Sequence, residues 1–145
     1  MDNDIFEALF EIMTFFHQPQ DERQQLHRAG TALEPAAMPI IVRAGQQPGV
    51  SVGELAGWIG RNHSSISRQV DRLIKTGWLT EAERDDQRIR RVQLTEKGQR
   101  GLMQLKATRE AEFSQRIQAY TPQQRAELLR SLRLLAQTLR EPKQD

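Results

Sequence analysis

The sequence predicts a mainly α-helical chain with one small β-hairpin, and three observations carry that expectation. Ser51 followed by Glu54, then Gly60, then Asn62, marks two short capped helices joined by a tight turn. Beyond Gly77 the apolar spacing changes from helical to alternating, as in a hairpin. Both ends of the chain carry apolar residues three and four apart, as amphipathic helices do. At 145 residues the chain is expected to be a single domain, 1–145. Its 37% hydrophobic and 28% charged residues suit much exposed helix, or a core completed by a second copy.

The first helix is read over Ile5 to Phe16, where Ile5, Phe6, Leu9, Phe10, Ile12, Met13 and Phe16 form a wide apolar face. The polar stretch 17–35, broken by Pro19, Gly30 and Pro35, reads as a loop or short broken helix. Helical spacing resumes from Ala36 to Ala44 and stops at the turn signal "GQQPG". Ser51 and Glu54 form a capping box for a helix Val52–Ile59 that buries Val52, Leu55, Ala56 and Ile59. Gly60 supplies a left-handed stop and Asn62 caps the next helix, the helix-turn-helix arrangement. Trp78 to Glu83 and Val92 to Thr95 are the arms of the hairpin, around the arginine-rich turn "RDDQRIR". A long helix follows, with Leu102, Leu105, Phe113 and Ile117 on one side, its first turns weakened by Gly98 and Gly101. Thr121 caps and Pro122 opens a final helix bearing Leu128, Leu129, Leu132, Leu135 and Leu139.

The second helix of the pair carries the functional signal. At 100° per residue, Ile66, Val70, Leu73 and Ile74 share an inward arc of about 100°. Arg61, Ser64, Arg68, Asp71, Arg72 and Lys75 lie on the other side. Small hydroxyls at its start allow close approach to DNA, so Ser64, Ser65 and Ser67 can bond phosphate or base, and Arg68 can grip guanine through two bonds. The helix N-terminus favours phosphate, and His63 stands there. A solvated face also commonly carries such residues, and His63 reads equally well as a plain exposed histidine. The surroundings favour DNA: segment 61–91 holds Arg61, Arg68, Arg72, Lys75, Arg84, Arg88, Arg90 and Arg91 against five acidic residues, a local +3 in a chain of net +2.

"RDDQRIRRVQLTEKG" resembles the wing and exit signature of the MarR family of bacterial transcriptional regulators, Asp-x-Arg before Val-x-Leu-Thr-x-x-Gly, and "SRQVDRLIKTGWL" is similar to the end of its recognition helix. The spacing of Ala56, Gly60 and Ile66 fits the same helix-turn-helix. The resemblance spans about Val52 to Gly98 and implies a winged helix-turn-helix with N- and C-terminal dimerisation helices. A DNA-binding lobe would occupy 36–98, and a helical dimerisation region 4–17 and 99–140. It further implies that Ser64, Ser65, Ser67 and Arg68 face the major groove. Arg88 would enter the minor groove, with Asp86 bracing a nearby arginine; a turn-stabilising ion pair between the two is the plainer reading.

These readings converge on a sequence-specific DNA-binding regulator, a homodimeric repressor of a pseudo-palindromic operator. Arg61, His63, Ser64, Ser65, Ser67, Arg68, Arg72, Lys75, Arg84, Arg88 and Arg90 are its expected DNA contacts. Ile5, Phe6, Leu9, Phe10, Met13, Leu128, Leu132, Leu135 and Leu139 are its expected dimer interface. The resemblance implies a small phenolic or otherwise lipophilic effector between the lobe and the dimer base. The alternative is a winged-helix protein-interaction module whose basic face meets an acidic partner. With no cysteine, a disulfide framework, a thiol sensor and thiolate-held zinc are excluded. His17, His27 and His63 have no metal-binding spacing, and no phosphate loop, nucleophile elbow or catalytic triad pattern is present, so neither enzyme nor cofactor nor metal is expected. Trp58 and Trp78 are expected to pack in the core or at the hinge. The acidic N-terminal stretch is unlike a signal peptide and nothing approaches the ~20 apolar residues that span a bilayer, which leaves a soluble cytoplasmic protein.

Overall fold

The computed structural model describes residues 1–16, 23–24, 26–27 and 30–140. His17 and much of the expected loop or broken helix over 17–35 lie outside those residues. The chain divides into two units, residues 1–109 and 110–145. The first contains α1 (Asp2–Phe16), a 3-10 turn (Pro35–Ala37), α2 (Met38–Gln46), β1 (Val50–Ser51), α3 (Val52–Ile59), α4 (His63–Lys75), β2 (Leu79–Glu81), β3 (Arg91–Leu94) and most of α5 (Glu96–Arg116). The second contains the end of α5 and α6 (Pro122–Arg140).

The expected mainly helical architecture with a hairpin wing is what forms, with one addition. β1 joins the hairpin to make a three-stranded antiparallel sheet in the order β1-β3-β2. Val50 pairs with Val92 and Ser51 with Arg91 on one side of β3, while Leu79 pairs with Leu94 and Glu81 with Val92 on the other. A two-residue strand has no periodicity to betray it, so the sequence reading missed it. α2 begins later than expected and runs past Ala44 to Gln46, because the 3-10 turn takes its first residues and Pro39 sits where a missing N–H costs nothing.

The helix-turn-helix is built by short-range bonds. Ser51 Oγ accepts from Glu54 N–H at 3.0 Å, and the Glu54 carboxylate accepts from Ser51 N–H at 3.2 Å, the reciprocal capping box. Gly60 ends α3 at φ 77°, and Asn62 Oδ1 accepts from Ser65 N–H at 2.7 Å to open α4. Ile66, Val70 and Leu73 of α4 are buried with Ile40, Ile41, Val52, Leu55, Leu79 and Val92 in one core, which fixes α4 by its inner face and leaves its outer face to solvent. Ile59, expected inside, is only half-buried.

α5 is bolted to the hairpin. Thr95 Oγ1 donates to the Gly77 carbonyl and accepts from Gly98 N–H at 3.0 Å, while Trp78 is buried at 7% exposure. Trp78 is therefore a core residue as expected, but Trp58 is not. It stands 55% exposed on α3 with the Arg43 guanidinium 4.8 Å from its ring centroid, a cation–π pair that makes an exposed indole tolerable. In the second unit, Thr121 Oγ1 accepts from Gln124 N–H at 3.2 Å and starts α6. Of the residues read on one side of the long helix, Leu102 and Leu105 are buried and Phe113 is 42% exposed.

Candidate nucleic-acid interface

The outer face of α4 presents His63, Ser64, Arg68, Arg72 and Lys75 as exposed side chains, with Ser65 and Ser67 half-covered at its shoulders. The helix projects them because its apolar stripe is committed to the core and its first turn is capped by Asn62. A Ser65 N–H already bonded to Asn62 is not available to a ligand, whereas the Ser64 and Ser67 hydroxyls stand at the edge of the face.

Arg61 behaves differently from the others. Its Nη1 donates 3.1 Å to the Ala36 carbonyl, so the residue just ahead of the α4 cap is tied to the 3-10 turn. Arg84 Nη2 lies 2.9 Å from Glu81 Oε2, and Arg90 Nη2 lies 2.8 Å from Asp71 Oδ1 and 2.9 Å from Glu81 Oε1. Arg61, Arg84 and Arg90 thus each have a protein partner on another part of the fold or hairpin. The sequence places Asp71 on the outer face of its helix and counts Glu81 among the acidic residues, but their shared partner Arg90 lies 19 and 9 positions away and is not visible in it.

At the hairpin tip, Arg88 is the most exposed of these arginines, its side chain 89% accessible. Asp86 accepts from Arg88 Nε at 3.1 Å, from Nη2 at 3.0 Å and from the Arg88 backbone N–H at 2.9 Å. The pair expected as a brace or a turn lock is therefore formed, with the arginine still exposed. The Arg88 side-chain bonds, then its backbone N–H, hold the Asp86 carboxyl below its ordinary range.

Glu81 has the other displaced carboxyl. Partial burial pushes its pKa up, but hydrogen bonds from Arg90 and then Arg84, with their charges, outweigh burial, and it titrates below the usual 4.5. A carboxyl lowered in the folded state stabilises the fold above its unfolded pKa, and that contribution is lost as pH falls through the folded value. Acid unfolding of Glu81→Gln followed by circular dichroism should accordingly show a flatter loss of stability below pH 4.5 than the native chain shows. An identical acid limb would remove Glu81 from the linkage.

The exposed apolar faces lie elsewhere. No residue of α1 or α6 is buried. Phe6 and Phe10 are 64% and 61% exposed, with their rings stacked 6.4 Å apart, and Ile5 and Met13 share that helix. On α6, Leu132 and Leu139 are exposed and Leu128 and Leu135 half-covered. Among the described residues no three His, Asp or Glu side chains come together to hold a metal ion, and no helix is long and apolar enough to cross a membrane.

Comparison with known proteins bears out the resemblance read from the sequence. Residues 33–89 match the model of the MarR family. A MarR family protein from Bacillus stearothermophilus superposes with a TM-score of 0.81 at 20% identity, over 97% of this chain and 99% of that one. RV1404 from Mycobacterium tuberculosis gives 0.76 at 19% identity, over 99% and 97%. Streptococcus pneumoniae FabT in complex with DNA gives 0.70 at 18% identity, over 96% and 97%. At these identities the structures establish the fold. No curated protein matches by sequence.

Proposed function

We propose that this chain, a MarR winged helix with a MarR-family match across its centre, is a homodimeric, sequence-specific transcriptional regulator that represses from a pseudo-palindromic DNA site. The observation that carries the reading is one basic surface built from two elements: the outer face of α4, with Ser64, Arg68, Arg72 and Lys75, and the tip arginine Arg88. A helix of this size fills a major groove, and a thin hairpin carrying an arginine suits a narrow minor groove, whose width it reads more than its sequence. That FabT, with the same fold, has been crystallised with DNA supports the DNA-binding reading. In a dimer the two α4 helices would meet major grooves about one turn, ~34 Å, apart.

For an effector of the small phenolic or lipophilic kind, the candidate place is an open cavity of about 570 Å³ where Leu26, Leu33, Pro35 and Ala36 stand beside the polar Arg23, His27, Thr31 and Glu34. Arg61 bonds its wall at Ala36 and adjoins the α4 cap, which gives such a ligand a path to the recognition helix. It acts only if it binds the two states unequally.

Selection of random duplexes by the purified protein, sequenced at two salt concentrations, tests the reading. A palindrome with half-sites one turn apart is expected. Weak, motif-free binding abolished by salt would instead favour a polyanion or acidic-protein surface. On the selected duplex, Arg68→Ala should cost about 1–3 kcal/mol and relax preference at one position. Equal weakening on all sequences would make Arg68 a phosphate contact. Arg88→Ala should weaken binding most where the flanks are A·T-rich, and unchanged affinity there would sink the minor-groove assignment.

A further inference from the structure

The base of the hairpin tip is tied by backbone bonds, Ala82 N–H to the Arg91 carbonyl and Val52 N–H to the Arg90 carbonyl, and side chains add a second set. The hairpin strands stop at Glu81 and Arg91, and β2 is joined to α4 through Gly77 at φ 82°, so the segment between them projects from a strand of 3 residues. A continuous charged chain spans the gap. Arg90 Nη2 reaches Asp71 Oδ1 on α4 at 2.8 Å, and its Nε donates to Glu81 Oε1 on β2 at 2.9 Å. Arg84 Nη2 takes the other Glu81 oxygen at 2.9 Å, and its Nη1 donates 3.3 Å to the Gln87 carbonyl, next to Arg88.

We infer that Arg90 is a positioning residue of the DNA surface and not one of its phosphate contacts: it clamps the hairpin to α4 and so fixes Arg88 relative to Arg68 and Arg72. Isolated exposed ion pairs do little. Here, though, the arginine side chain is only 25% exposed, two carboxylates on different elements share it, and a planar guanidinium imposes direction on both. The lowered pKa of Glu81 fits a carboxylate committed to its arginines. The clamp also engages two of the five acidic groups of segment 61–91, Asp71 and Glu81.

The inference rests on the DNA-binding reading, but its first test does not need DNA. The native chain has no cysteine, so Lys75→Cys and Gln87→Cys introduce the only spin-label sites on α4 and the tip. With labelled chain diluted into unlabelled chain, pulsed electron resonance should give a narrow distance distribution. Arg90→Met should broaden it, as should Arg90→Lys, whose ammonium lacks the fork. An unchanged distribution overturns the clamp.

The second test uses duplex DNA. Arg90→Met should keep the salt slope on random duplex and lose roughly tenfold in preference for the selected duplex, a loss at the scale of one base-reading arginine. A slope shallower by about 0.9 with preference intact would make Arg90 a phosphate contact. The double variant Asp71→Asn, Glu81→Gln removes two negative charges, which on charge alone should tighten binding. Loss of preference is expected instead, and tighter binding with full preference overturns the inference. If no duplex is selected, the DNA reading fails while the distance measurement still decides whether the clamp exists.

Discussion

A Gly98→Ala protein is expected to lose about 2–4 kcal/mol of stability, combining overpacking of a closed core with damage to a helix cap. A Cβ built on Gly98 falls 2.2 Å from the Trp78 carbonyl oxygen and 3.2 Å from Leu94 Cδ2. The first of these is backbone, and it cannot swing aside, because that carbonyl accepts from Thr95 N–H at 3.1 Å. Room for the methyl can only come from moving the start of α5, which breaks the Thr95 cap on Gly98 N–H. Gly101→Ala should behave alike, its Cβ lying 2.3 Å from the Trp78 ring. Gly57→Ala is the opposite case: it is helical and its Cβ meets nothing within 4 Å, so it should gain about 0.4–1 kcal/mol. Urea unfolding of the three variants reads both signs at once. Near-native stability for Gly98→Ala would mean that α5 does not seat on Trp78 as described.

Those glycines also show where the sequence stops being legible. From the sequence, Gly98 and Gly101 are helix weakeners, since their intrinsic propensity is low. Their use is a close approach to Trp78, 20 and more residues away, and no local pattern encodes that partner. The helix-turn-helix was legible because its determinants are local: Ser51 with Glu54, Gly60, and Asn62 each act within four residues. β1 was not, because a strand of 2 residues takes its identity from Val92 and Arg91 across the sheet. The basic surface was legible as a composition and a helical face. Its division into exposed arginines (Arg68, Arg72 and Arg88) and clamped ones (Arg61, Arg84 and Arg90) depends on which carboxylate or carbonyl the fold brings near. Trp58 is likewise not legible, since its partner at the surface, Arg43 on α2, is set by the fold.

The double variant Phe6→Glu, Phe10→Glu is expected to be a folded monomer that loses the selected palindrome by about 10²–10⁴-fold, the gain that linking two binding modules ordinarily provides. Soluble monomers rarely leave contiguous apolar patches of more than a few hundred Å² open to water. Yet α1 exposes Ile5, Phe6, Phe10, Ile12 and Phe16 along a helix with no buried residue, and α6 exposes Leu129, Leu132, Leu134 and Leu139 along another. On the dimeric reading proposed above, a second copy of the chain would cover both. The two helices are also opposite in charge: α1 carries Asp2, Asp4, Glu7 and Glu11 and no basic side chain, whereas α6 carries Arg125, Arg130, Arg133 and Arg140 against Glu127 alone. In the proposed dimer each protomer would bring one α4 and one tip arginine, so a monomer would meet half a palindrome and could not use the second half to hold the first. Sedimentation of the native chain at micromolar concentration should give a dimer, and the variant a monomer with unchanged helix content. Because the substituted side chains are already exposed, the unit's own core has no reason to unfold. A native chain that sediments as a monomer, or a variant that stays dimeric, would take α1 out of the interface. A monomeric variant that still binds the palindrome at native affinity would detach DNA recognition from dimerisation.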